Sequence, residues 1–149
     1  MILLSGLFST CKIAIDEKIN KFRALTIQIV DAPTTYRDIV YELTKKYNID
    51  NIVAIETKGF IWASALAFSA KLPLHLARKP LTIPRPVVES RFMSRGRHYS
   101  LSIQKDSNIH GNVIVIDDIL SSGSTLNAIG GLLKEHFGIA PANQLHAPI

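Results

Sequence analysis

The sequence predicts an α/β domain, a mostly parallel sheet with helices on both faces, and three observations carry that expectation. Val113 to Ile116 is a run of apolar, β-branched residues without polar alternation, as in a strand covered on both sides. Ile52 to Ile55 repeats the pattern earlier in the chain. Each run leads through a short, polar, glycine-containing turn into residues with helical character, the strand, turn and helix order of a parallel sheet. With 149 residues and 47% hydrophobic content, the chain has material for one core, read as a single domain over 1–149.

Residues 1–20 are apolar first and then charged, and are expected to form a helix packed on the body. Asp31-Ala-Pro33 with Thr34 and Thr35 reads as a helix start, and Tyr36, Ile39, Val40, Leu43 and Tyr47 fall on one face at helical period. Ile52 to Ile55 then ends in Glu56-Thr-Lys-Gly-Phe60, and from Ile61 to Ala70 small residues favour a helix lying close on the sheet. Leu72-Pro-Leu-His-Leu-Ala77 gives a third strand with Arg78-Lys-Pro80 at its carboxyl end. From Leu81 to Arg97 the period disappears; Pro84 and Pro86, and the cations Arg85, Arg91, Arg95 and Arg97, read as a long functional loop. His98 to Gln104 is expected as an edge strand and Ser107 to Asn112 as the turn into the central strand.

After the central strand, Leu126, Ile129, Leu133 and Phe137 form an apolar helical stripe. Gly130 and Gly131 inside it each cost about 1 kcal/mol against Ala, an expense that close packing on the sheet would offset. Gly138 closes the helix, and residues 139–149, with Pro141 and Pro148, read as a loose tail.

A net charge of +5 and a pI near 9.5 favour an anionic ligand. A polyphosphate satisfies that as well as nucleic acid does, and the absence of a helix-turn-helix or basic-helix extension argues against DNA. The single cysteine, Cys11, allows no internal disulfide and has no metal-ligand spacing, so a reducing cytoplasm is expected. The stretch before it lacks a basic start and its apolar run is short, which argues against a secretory signal, and no run approaches the roughly twenty apolar residues of a membrane span. His98, His110 and His136 show no metal-like spacing and read as surface residues.

The chemistry concentrates after Ile116. Ser121-Ser-Gly-Ser-Thr125, at the start of a helix, offers backbone N–H groups and the hydroxyls of Ser121, Ser122, Ser124 and Thr125 to one phosphate, and Gly123 keeps bulk out of the way. Asp117 and Asp118 are acceptors when ionised, so they suit the vicinal hydroxyls of a ribose whose 5-phosphate sits in that cup. They also place negative charge beside a cation developing at the anomeric carbon.

Val113 to Thr125 resembles the phosphoribosyl pyrophosphate (PRPP) motif of type I phosphoribosyltransferases, and its Asp-Asp-Ile-Leu form is most similar to the adenine phosphoribosyltransferase family, whose pattern is near Asp-Asp-Leu-Leu-Ala-Thr-Gly-Gly-Thr. The resemblance implies the type I phosphoribosyltransferase fold and transfer of phosphoribosyl from PRPP to a purine in purine salvage, giving a nucleoside monophosphate and pyrophosphate. It extends roughly from Lys21 to Gly138; relatives continue with a further strand, whose counterpart is not expected in residues 139–149.

Other segments follow that resemblance. Glu56-Thr-Lys-Gly-Phe60 is similar to the family's pyrophosphate loop, Glu-Ala-Arg-Gly-Phe, which implies that Lys58 and Gly59 meet the leaving group and that a strained or cis peptide lies near Thr57 and Lys58. Lys in place of Arg forgoes bidentate geometry. Arg78 and Lys79 match the Arg-Lys pair that relatives direct at PRPP. Lys21-Phe-Arg-Ala-Leu-Thr26 is similar to the segment over the purine, so Phe22 would stack on the base and the backbone near Arg23 would read its edge, although Ala24 replaces the family's Asp. The basic stretch after Leu81 takes the place of the family's hood over the reacting centre, but Ser94-Arg-Gly96 stands where relatives carry Glu-Tyr-Gly, and Glu89 is the acid nearby.

The resemblance further implies Mg²⁺ bound mainly through PRPP and pyrophosphate, with no protein residue assigned as a metal ligand, and a homodimer. A small residue at Ser121, where hypoxanthine and guanine enzymes carry a third Asp, favours adenine; hypoxanthine or xanthine as the base, and a non-catalytic PRPP-binding regulatory module, are the rivals.

Overall fold

A computed structural model defines residues 2–3, 44–80, 83–84, 86–117 and 123–139 of the chain. The elements are β1 (Ile2–Leu3), β2 (Asn51–Ile55), α1 (Gly59–Ala70), β3 (Leu74–Ala77), β4 (Val87–Ser94), β5 (Arg97–Gln104), β6 (Val113–Ile116) and α2 (Ser124–Phe137). Four strands form a parallel sheet in the order β1-β6-β2-β3, and β4 and β5 form a separate antiparallel pair.

Period-two alternation in the two central strands assigns one helix to each face of the sheet. Val53, Ile55, Val113 and Val115 pack with Leu126, Ile129, Leu132 and Leu133 of α2. Ile52, Ala54, Ile114 and Ile116 pack with Ala63, Leu66 and Ala67 of α1. Ile52–Ile55 and Val113–Ile116 are therefore apolar at every position, and each large aliphatic side chain buried in them contributes about 1.5–3 kcal/mol. No helix among the described residues is long and apolar enough to cross a membrane.

Two expectations are corrected. The helix expected over 1–20 gives way at Ile2–Leu3 to a strand, which pairs with Ile114 and Val115 and covers an edge that β6 would otherwise leave open. The long loop expected from Leu81 to Arg97 is in large part β4, whose residues pair from Val87↔Gln104 to Ser94↔Arg97. Its inward face is marked by Val88 and Phe92 with Ser90 between them, so the alternation is easily missed. Arg95 and Gly96 make the turn with φ of 49° and 71°, the positive pair that a two-residue type I′ hairpin requires. Phe92 and Tyr99 face each other across the hairpin with ring centroids 5.9 Å apart, and β4 packs against α2.

Residues 44–46 are helical and Tyr47 packs against the α1 side of the core, while the rest of the stripe expected from Tyr36 lies outside the described residues. At the end of α2, Gly138 takes a φ of 69° and the Ile139 N–H donates to the Leu133 carbonyl at 3.1 Å. Ile139 is thereby tied down and buried, so it belongs to the body, not to a loose tail. Residues 140–149 lie outside the described residues.

Candidate active site

The parallel register decides which side chains meet. Ile55 is opposite Ala77, and Ala54 is opposite Ile116. One step further along, Asp117 is level with Ile55, and Arg78 is level with Glu56. The carboxyl ends of β6, β2 and β3 thus line up Asp117, the Glu56–Gly59 turn and Arg78-Lys79 across two strand spacings, roughly 10 Å. Ligands of open parallel sheets bind at this edge, because the loops there are free to vary while the strands fix their origins.

Both helices begin at the same edge. α1 starts at Gly59, with Lys58 as its N-cap residue, and α2 starts at Ser124, with Gly123 as its N-cap; neither start has a side-chain cap. Two helix amino termini with backbone N–H groups and partial positive charge then face the space beyond the strands, which suits two anionic groups.

The glycines there act for different reasons. A Cβ on Gly59 would lie 2.7 Å from the Ile116 carbonyl oxygen and 3.4 Å from the Asp117 Cα, so its absence lets the start of α1 touch the end of β6. A Cβ on Gly123 would meet nothing within 4 Å, but its φ of 74° is a left-handed conformation that L side chains rarely adopt. Space, the reason expected for Gly123, therefore applies to Gly59; Gly123 is required by backbone conformation.

Asp117 is buried at 7% exposure at the end of β6. Lys58 is half-buried, Lys79 exposed, and Ser124 and Thr125 half-buried on the first turn of α2. The Glu56–Thr57 peptide is cis, in the loop where the resemblance places such a bond. Glu56, given no role by the motif, accepts the Lys79 N–H at 2.7 Å and lies 3.8 Å from Arg78 Nε. The signal that finds it is register: an acid one step past β2 lies level with a cation one step past β3. Glu89 pairs with Arg91 at 2.9 Å on its own strand. Phe22, Arg23, Asp118, Ser121 and Ser122 lie outside the described residues.

The phosphoribosyl transferase domain model matches residues 28–138. An adenine phosphoribosyltransferase of Prochlorococcus marinus subsp. pastoris is 31% identical over 140 residues, 91% of this chain and 81% of that protein. The chain belongs to the adenine phosphoribosyltransferase family. A second Prochlorococcus marinus family member is 35% identical over 70% of this chain and 63% of its own length. Among solved structures, the Giardia lamblia enzyme complexed with 9-deazaadenine superposes with a TM-score of 0.59 at 31% identity, covering 64% of this chain and 54% of that one. The chain thus spans between about half and four-fifths of these family members. The Gly59 end carries the segment that resembles the family's pyrophosphate loop, and the Ser124 end the segment that resembles its PRPP motif.

Proposed function

We propose that this chain transfers the phosphoribosyl group of PRPP to a purine, with adenine as the preferred base, releasing pyrophosphate. The observation that carries the reading is the convergence of Asp117, Lys58-Gly59, Arg78-Lys79 and Gly123-Ser124-Thr125 at one sheet edge. The Ser121–Thr125 cup holds the 5-phosphate, and Asp117 and Asp118 accept hydrogen bonds from the ribose hydroxyls. As the bond from C1′ to pyrophosphate breaks and the bond to the base nitrogen forms, those two carboxylates oppose the positive charge on the sugar. Lys58, Arg78 and Lys79 take up the charge of the leaving pyrophosphate, while Phe22 and Arg23 receive the base. Adenine is supported by the names of the relatives and by the adenine analogue in the Giardia structure.

The described residues contain no group of three His, Cys, Asp or Glu that could hold a metal by themselves. Mg²⁺ arriving on the oxygens of PRPP or pyrophosphate would need few ligands from the protein. Bound there, Mg²⁺ would neutralise charge on the leaving group. A homodimer is supported by the outer face of α1, where Ile61 and Phe68 are 41% and 88% exposed. A reducing cytoplasm is supported by the lone Cys11.

The test is pyrophosphate release from PRPP with adenine, hypoxanthine or xanthine, run beside a PRPP thermal-shift titration. Release with adenine is expected. Stabilisation by PRPP without release for any base would select the non-catalytic module, a reading favoured by the pairing of Glu89 with Arg91 and by the absence of an acid from Ser94-Arg-Gly96.

A further inference from the structure

We infer that Glu56 is a positioning residue, which fixes the Arg78-Lys79 segment against the Lys58-Gly59 turn so that both sides of the pyrophosphate site are held in one arrangement. The inference rests on the phosphoribosyltransferase reading. Three contacts support it. The Glu56 N–H donates to the Ala77 carbonyl at 2.9 Å, extending the β2–β3 ladder one step beyond the strands. Its side chain then crosses to the neighbouring segment, where Oε2 accepts the Lys79 N–H at 2.7 Å and faces Arg78 Nε at 3.8 Å. The carboxylate is mostly buried, its side chain 14% exposed, so the interaction is shielded from water.

The neighbouring groups tie this side chain and its segment into the fold. Arg78 Nε is buried and makes no hydrogen bond among the described residues, so the nearby carboxylate is its charge partner. The Arg78 backbone exchanges two hydrogen bonds with Ser102 of β5, at 2.9 and 2.7 Å, tying the same segment to the hairpin. Glu56 therefore stands where the pyrophosphate loop, the Arg-Lys segment and the hairpin's anchor meet.

Charge alone predicts the opposite outcome, which makes the inference testable. A carboxylate beside a polyanion site repels the ligand, so removing it should tighten binding if Glu56 has no positioning role. Binding of magnesium pyrophosphate and of ribose 5-phosphate to the full chain is measured by calorimetry for wild type, Glu56→Gln and Glu56→Ala. Glu56→Ala, which loses the acceptor for the Lys79 N–H, is expected to weaken pyrophosphate binding about tenfold and leave ribose 5-phosphate unchanged. Glu56→Gln keeps an acceptor and loses the charge, and should bind pyrophosphate at least as well as wild type. Unchanged or tighter pyrophosphate binding by Glu56→Ala would overturn the inference, as would a loss in Glu56→Gln equal to that in Glu56→Ala. Loss of both ligands together with a lowered Tm would assign Glu56 to general stability and overturn it equally. A wild-type chain that binds neither ligand would instead remove the phosphoribosyltransferase reading.

Discussion

The two ends of the parallel sheet use their polar residues in opposite ways. At the amino end the fully buried Asn51 side chain donates from Nδ2 to the His110 carbonyl at 2.7 Å and meets His75 Nε2 with Oδ1 at 2.9 Å. Because the amide nitrogen is committed to a carbonyl, the oxygen faces His75, and Nε2 is the protonated ring nitrogen. Asp50 accepts the Asn112 N–H at 2.8 Å, and Asn112 Nδ2 donates to the Asn48 carbonyl at 3.2 Å. This end is a network closed on itself. At the carboxyl end both helix starts lack side-chain caps, and Lys58, Lys79 and Asp117 gather beside them. The lesson is that one end uses polarity to fix strand register, while the other gathers it around two helix starts, where the proposed ligand would sit.

That contrast is broken or sharpened by substitutions at each end. The largest expected effect is at Asp117. Asp117→Asn should lower kcat/KM for PRPP by about 10²–10³-fold, the usual scale for removing one electrostatic group from a developing charge, with Tm little changed. Steady-state rates with adenine beside a thermal melt check it, and wild-type activity in the variant would remove the role assigned to the carboxylate. Next is Asn51→Ala, which strands the His110 carbonyl and the His75 N–H. It should cost about 2–3 kcal/mol in denaturant unfolding and leave the PRPP affinity of the folded protein unchanged.

A smaller effect tests the amino end by pH. Burial, and then the neighbouring His110, hold the His75 pKa below its ordinary value of 6.5. As pH falls through that value the unfolded chain takes up a proton that the folded chain refuses, so stability is full above it and declines below it until the folded-state pKa is reached. Urea unfolding at pH 7.5 and 5.5 should show a drop in wild type that shrinks in His75→Gln; an equal drop in both would refute the assignment. The smallest change is stabilising. A Cβ on Gly131 would meet nothing within 4 Å, so Gly131→Ala should raise stability by about 0.5–1 kcal/mol without altering activity.

Legibility in the sequence followed burial. Val113 to Ile116 was readable to the residue because a strand covered on both faces has no polar position to blur its ends. The beginning of α2 was readable because small residues after an acid pair have a chemical reason to be there. The hairpin was obscured by its own chemistry. Pro84 and Pro86 precede it, Ser90 occupies an inward position, and its turn is Arg95-Gly96, a weaker signal than Asn-Gly. Gly131 shows the same limit from the other side: close packing was expected for the Gly130-Gly131 pair, yet only Gly130 is buried. Glu56 was visible as a letter of the loop, but its partner is set by the register of β2 on β3, which no local pattern encodes.

Amide hydrogen exchange with and without PRPP bears most directly on the contrast between the two ends. Slower exchange is expected at residues 56–59, 78–79 and 123–125, with no change at 48–51 and 110–112. Protection confined to the amino end, or protection nowhere under conditions where PRPP raises Tm, would contradict the placement of the ligand at the carboxyl edge.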